Sequence, residues 1–110
     1  MKGWIGFDLD GTLAYYEPGM GATGEIGQPI RPMIERVQKY LEDGHEVRIF
    51  TARRPHPAIR AWCKEHIGTV LPIVNKKDSG MIALYDDRAV GVERNKGVLF
   101  SEDNEKQVKL

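Results

Sequence analysis

Asp8 and Asp10 stand two residues apart, directly after the apolar run Trp4-Ile5-Gly6-Phe7. Side chains two apart share one face of an extended chain. Carboxylates that close repel unless a cation sits between them. Their oxygens suit a hard divalent metal, and Mg²⁺ is the one that commonly accompanies phosphate. A second acidic pair, Asp86-Asp87, follows another apolar run and would add ligands from a neighbouring strand. Asp8, Asp10, Asp86 and Asp87 are therefore candidate metal ligands. A carboxylate can also attack phosphorus covalently, and a second one can exchange the proton. Such an attack needs its charge offset by a metal and a basic side chain, and the oxygens held by directed donors. Thr51 offers a hydroxyl, Lys76 and Lys77 offer ammonium groups, and Arg53 and Arg54 follow Thr51 closely enough to hold a phosphate or a leaving group.

The elements that would carry these residues are legible from periodicity. Trp4 to Phe7 reads as a short buried strand ended by Asp8. Residues 11–29 hold Gly11, Gly19, Gly21, Gly24 and Gly27 and two prolines, which predicts a long irregular loop, or flap. Ile30, Met33, Ile34, Val37 and Leu41 recur at helical spacing and predict a helix over about 31–43, with Pro32 in its first turn and Gly44 past its end. Glu46 to Phe50 reads as a second strand ending at Thr51. A second helix opens near Pro57, with Ile59, Trp62 and Cys63 on one side and Gly68 beyond it. Val70 to Val74 predicts a third strand, with Pro72 favouring an edge. Met81 to Tyr85 predicts a fourth, ended by Asp86-Asp87. Val90 to Val92 and Val98 to Phe100 suggest a hairpin around Asn95-Lys96-Gly97, and residues 101–110 are polar.

Strands alternating with helices imply an α/β fold with a mainly parallel sheet. Ligands bind beyond the carboxyl ends of such strands. Asp8 and Asp10, then Thr51, then the two lysines, then Asp86 and Asp87 all fall at that end. Of the lysines, Lys77 is favoured over Lys76, because it lies deeper in the turn leading to Met81 and Asp78 can orient it.

The run Asp8-Leu9-Asp10-Gly11-Thr12, then Thr51, a lysine and Asp86-Asp87, resembles the haloacid dehalogenase (HAD) superfamily of phosphotransferases over residues 1 to about 90. The resemblance implies a three-layer α/β/α, Rossmann-type fold. It also implies a role for each matching position. Asp8 would be the nucleophile that forms an aspartyl-phosphate, and Asp10 the general acid and base, its carbonyl also on the metal. Thr51 would bind a phosphoryl oxygen, and Lys77 or Lys76 would offset charge. Gly11, Thr12, Ala52, Arg53 and Lys76 would line the phosphate, with Mg²⁺ as cofactor on Asp8, Asp10, Asp86 and Asp87. An aspartate at position 10 matches the branch that hydrolyses phosphate esters. Fewer than twenty residues separate Leu13 from the first helix, so no cap domain is expected. An open site of this kind admits a large substrate such as a nucleic-acid end or a phosphoprotein; alternatively a phosphorylated small molecule is enclosed by the flap or by a second copy in a homodimer. Tyr15, Tyr16 and Met20 on the flap are suited to covering or stacking on a ligand. A nucleotide or oligonucleotide phosphate is the leading substrate, and the run Asp86-Asp87-Arg88 looks like that of small deoxyribonucleotidases in the family. Arg88 is read as a structural partner of an acidic residue, and His56 as a loop residue near the site.

Composition sets bounds on these readings. The chain has 110 residues, which is room for one domain. Sixteen cations balance sixteen anions for a net charge of +0, which argues against long nucleic acid as the partner. The single cysteine, Cys63, excludes an internal disulfide framework and fits a reducing compartment. No run approaches the ~18 apolar residues of a membrane span, and the amino-terminal run is short for a signal peptide, so a cytoplasmic protein is expected. Two other functions compete with a phosphatase. One is a non-catalytic phosphate- or metal-binding module on the same fold. The other is a receiver-like domain, which motif order disfavours because its phospho-acceptor would fall on a central strand rather than the first.

Overall fold

The computed structural model describes residues 3–54 and 56–100 of the chain. Seven elements follow one another: β1 (Trp4–Asp8), α1 (Met20–Thr23), α2 (Arg31–Glu42), β2 (Glu46–Phe50), α3 (His56–His66), β3 (Ile73–Val74) and β4 (Met81–Tyr85). The strands form one parallel sheet in the order β3-β2-β1-β4. The winding direction switches between β1 and β4, the place where such a sheet opens a crevice at its carboxyl ends.

One face of the sheet carries the core. Ile5 pairs beside Val47 and Phe7 beside Ile49, so their side chains point the same way. Helix α2 brings Ile34 and Val37 onto them, and α3 brings Ile59, Trp62 and Cys63. All of these belong to one apolar cluster. Each large side chain so buried contributes roughly 1.5–3 kcal/mol before the entropy of ordering is counted. Helix α2 starts as expected, with proline in its first turn, and Lys39 lies near its negative end. Gly44 follows with a φ of 88° that a side chain would strain.

The α/β class, the parallel sheet and the absence of a cap agree with the sequence. The three-layer arrangement does not hold among the described residues. Both long helices cover the same face, as two right-handed crossovers in one direction require. Residues 75–80 alone carry the chain from β3 to β4, and so short a crossover has no room for a helix. The opposite face is covered by side chains instead, chiefly Trp4 with Leu84 beside it over Gly6. Trp4 is 2% exposed and lies across Gly6, where a Cβ would stand 3.0 Å from the indole ring. Its Nε1 donates to Asp78 Oδ1 at 2.8 Å, and the guanidinium of Arg48 sits 4.5 Å from the ring centre.

Two other elements are smaller than expected. Strand β3 holds only Ile73 and Val74, because Pro72 brings no N–H to the ladder, although its carbonyl accepts from Ile49 N at 2.8 Å. The hairpin survives as a single antiparallel bridge between Val92 and Leu99, turning through Asn95 and Gly97 at positive φ. The expected tail at residues 101–110 lies outside the described residues. Among the described residues no helix is long and apolar enough to cross a membrane.

Candidate active site

Strand β1 is flanked by β2 and β4, so its carboxyl end meets residues from both neighbours. Phe7 pairs with Tyr85 and Asp8 with Phe50. Asp86 therefore follows at the level of Asp8, and Thr51 one residue beyond it. The end of β4 is locked by aromatic packing. Tyr85 stacks on Phe7 with centroids 4.5 Å apart and planes within 4°, and its hydroxyl meets that of Tyr40 at 2.5 Å.

Carboxylate oxygens of Asp8, Asp86 and Asp87 all lie within 4.8 Å of one another. Burial, aided by a hydrogen bond to Asp87 and the charges of Asp86, Asp87 and Asp10, pushes the Asp8 carboxyl up to about 8. Three hard oxygen donors that repel one another are a donor set that fits Mg²⁺. Thr12 organises the group. Its hydroxyl accepts from Asp87 N at 3.0 Å and lies 3.4 Å from Asp8 Oδ2 and 3.3 Å from Asp87 Oδ1. The carboxylate of Asp10 is turned elsewhere. Arg53 holds it on both oxygens, Nε to Oδ2 at 2.9 Å and Nη2 to Oδ1 at 3.1 Å. The side chain of Asp10 is thus not part of the carboxylate cluster, in contrast to the ligand set expected from the sequence.

A cavity of about 370 Å³ opens over these strand ends. Asp8, Asp10, Asp86 and Asp87 form its floor, and Thr51, Ala52 and Arg53 one wall. Thr51 is buried and accepts from Arg53 N at 3.1 Å, leaving its hydroxyl proton to donate. Tyr16 and Gly21 reach in from the flap, and Arg88 from beyond β4. The flap is a folded excursion. Ala14 bridges Pro29 at its neck, and α1 lies at its tip. Trp62 Nε1 donates to Gly27 O at 2.9 Å and ties its base to α3. Of the three apolar flap residues, Tyr16 alone lines the cavity. Gly21 gave no signal in the sequence, since glycines fill the whole loop. A larger cavity, about 630 Å³, lies at the amino ends of the strands around Trp4, Arg48 and Asp78, far from this chemistry.

Several expected site residues are not brought together. Lys76 and Lys77 are exposed on the crossover after β3, and neither lines the cavity. Asp78 does not orient Lys77, because it accepts from Trp4 and from Gly80 N at 2.8 Å. Gly11 and Thr12 stand behind the carboxylates rather than in the cavity, and Arg54 and His56 lie outside it. Arg88 makes no ion pair among the described residues; its backbone N–H donates to Asp86 Oδ1 at 2.8 Å. Cys63 is fully buried, and burial pushes its thiol up, so it packs rather than reacts.

No family model and no curated protein matches the chain. A conserved protein from Bacteroides thetaiotaomicron with a solved structure is similar in fold, with a TM-score of 0.62 and 21% identity over 80% of this chain and 78% of that one. At that identity the likeness extends to the fold alone.

Proposed function

We propose that the chain is a Mg²⁺-dependent phosphate monoester hydrolase of the HAD type that works through an aspartyl-phosphate on Asp8. The observation that carries the reading is the convergence of Asp8, Asp86 and Asp87 beside a separately held Asp10, under one cavity walled by Thr51. An oxygen of Asp8 attacks phosphorus, the ester P–O bond breaks, and Asp10, which Arg53 holds as a carboxylate in the free protein, relays a proton from solvent to the leaving oxygen. A water molecule then returns a proton to Asp10 as it attacks phosphorus, and the P–O bond to Asp8 breaks. Thr51 holds a phosphoryl oxygen, and Arg88 brings positive charge to the cavity. Asp8, Asp86 and Asp87 would hold Mg²⁺, which would supply the charge neutralisation needed to bring a carboxylate and a phosphate dianion together.

The substrate in this reading is a small phosphorylated molecule. A cavity of about 370 Å³ with the chain's own flap as a wall suits a nucleotide-sized ligand better than a long nucleic-acid end. Tyr16 offers a planar surface for a base. Hydrolysis of an aryl phosphate with Mg²⁺, compared between wild type and Asp8→Asn, tests the reading. Loss of turnover in the variant supports it, and equal rates remove Asp8 from the mechanism.

One observation favours a second reading, a non-catalytic phosphate- or metal-binding module. Neither lysine lines the cavity, so the lysine expected to offset the charge of nucleophile and phosphate is not beside them. Calorimetric Mg²⁺ binding without turnover on a broad panel of phosphate esters would favour that module.

A further inference from the structure

We infer that Arg53 is a positioning residue that aligns Asp10 and latches the flap to it, so that closing the flap and aligning the acid/base group are one event. The inference rests on the reading of Asp10 as the group that exchanges the proton.

Arg53 is the residue of this site with the most complete set of contacts. Nε and Nη2 grip the two oxygens of Asp10 at 2.9 and 3.1 Å. A carboxylate held on both oxygens by a planar fork is fixed in rotation as well as position. Nη2 also donates to the carbonyl of Glu25, just past α1 in the flap. The backbone N–H donates to Thr51 Oγ1 at 3.1 Å. The side chain, itself 10% exposed, therefore joins the residues just past β1 to the flap, while the backbone of the same residue is tied to the end of β2.

A count of donors separates this role from substrate binding. A guanidinium has five N–H groups. The contacts to Asp10 and Glu25 use Nε and both hydrogens of Nη2, which leaves Nη1 alone for any ligand. Gripping a phosphate with a two-donor fork would require releasing Asp10 or the flap. Lysine cannot replace this arrangement, because an ammonium is a point charge without the planar fork.

The consequence falls on the second half of the reaction. Asp10 must accept a proton from water while water attacks the phosphoryl group on Asp8. With a dinitrophenyl leaving group the first half needs little help from an acid, so misaligning Asp10 should slow the second half selectively. Without Arg53, phosphoryl-Asp8 accumulates.

The test compares wild type, Arg53→Ala, Arg53→Lys and Asp10→Asn with Mg²⁺ and dinitrophenyl phosphate, each checked for folding by circular dichroism. Wild type is expected to turn over. Both Arg53 variants are expected to release a stoichiometric burst and then to run about 100-fold slower, with the phosphorylated chain visible by intact mass. A raised KM with unchanged kcat and no burst would overturn the inference and make Arg53 a substrate contact. Amide hydrogen exchange across residues 20–27 supplies a readout that needs no turnover. Faster exchange there in both Arg53 variants, with the exchange of β1 unchanged, supports the latch. Unchanged exchange overturns it. If wild type shows no turnover at all, the hydrolase reading fails, and the exchange experiment still decides whether Arg53 latches the flap.

Discussion

The carboxylate of Asp87 occupies the space into which a side chain on Gly11 would grow. A Cβ there would stand 2.6 Å from Asp87 Oδ2, and the φ of 91° at Gly11 lies in the left-handed region. Gly11→Ala therefore strains the turn by roughly 1–2 kcal/mol and pushes Asp87 out of the carboxylate group. Mg²⁺ affinity in this variant is expected to fall by about tenfold or more, as when an outer contact of a metal ligand is lost. Calorimetric titration reads this directly, and unchanged affinity would show that Asp87 is not a ligand.

Asp8 predicts an unusual pH dependence for the metal-free protein. Its carboxyl is raised from 3.8 to about 8. Below the lower value both the folded and unfolded chains carry the proton, and Asp8 costs nothing. As pH rises, the unfolded chain ionises first, so stability is lost progressively until pH passes about 8. With a chelator present, the melting temperature should fall across that window, and Mg²⁺ should restore it. Asp8→Asn should remove the slope and melt higher than wild type at the alkaline end, by on the order of 5 °C for about 1 kcal/mol. A wild-type melting temperature that is flat with pH would contradict the clustering of these carboxylates.

Strand ends and helix faces were readable because apolar periodicity reports which side of an element is buried. That periodicity places Asp8, Thr51 and Asp86 at one end of the sheet and makes Ile34, Val37, Ile59 and Trp62 helical. Contacts between distant residues leave no such trace. Nothing in the local sequence says that Arg53 turns toward Asp10 rather than toward a ligand, or that the hydroxyl of Thr12 faces two carboxylates. The missing helical layer has a cause that lies in spacing. The interval from Val74 to Met81 is too short for a helix, and Trp4 then has to cover the bare face. Motif order, the end of the third strand and the neighbouring Asp78 point to Lys76 and Lys77 from the sequence, but these fix position along the chain and not direction in space.

Positive charge in the cavity should come from Arg88. It lines the cavity without an ion pair among the described residues, whereas Arg53 is committed to Asp10. Arg88→Ala is expected to raise KM for an aryl phosphate by about tenfold, the value of one charge-assisted hydrogen bond. Lys76→Ala and Lys77→Ala are expected to stay within about twofold of wild type, as for exposed surface positions. Steady-state kinetics on the three variants checks this. Collapse of turnover in either lysine variant would mean that the crossover after β3 folds toward the phosphate when substrate binds.

Trp4 separates stability from chemistry, because it lies at the amino end of β1 while the site lies at the carboxyl end. Its indole fills the face that has no helix, donates to Asp78 and carries Arg48 on its ring. That hydrogen bond is also the main reason the Asp78 carboxyl is held below its usual value. Trp4→Phe keeps an aromatic ring but loses the donor and part of the buried volume. Its melting temperature is expected to drop by on the order of 5–10 °C. The Asp78 contribution is present above the ordinary carboxylate value and is lost as pH falls through the lowered one, so the gap between variant and wild type should narrow in acid. The kcat of the variant below its melting point should equal that of wild type, since no atom of Trp4 lines the cavity over Asp8. Melting curves against pH, paired with aryl phosphate turnover, measure both. A loss of kcat with an unchanged melting temperature would mean that the two ends of β1 are coupled, and that the single-layer face is part of the site.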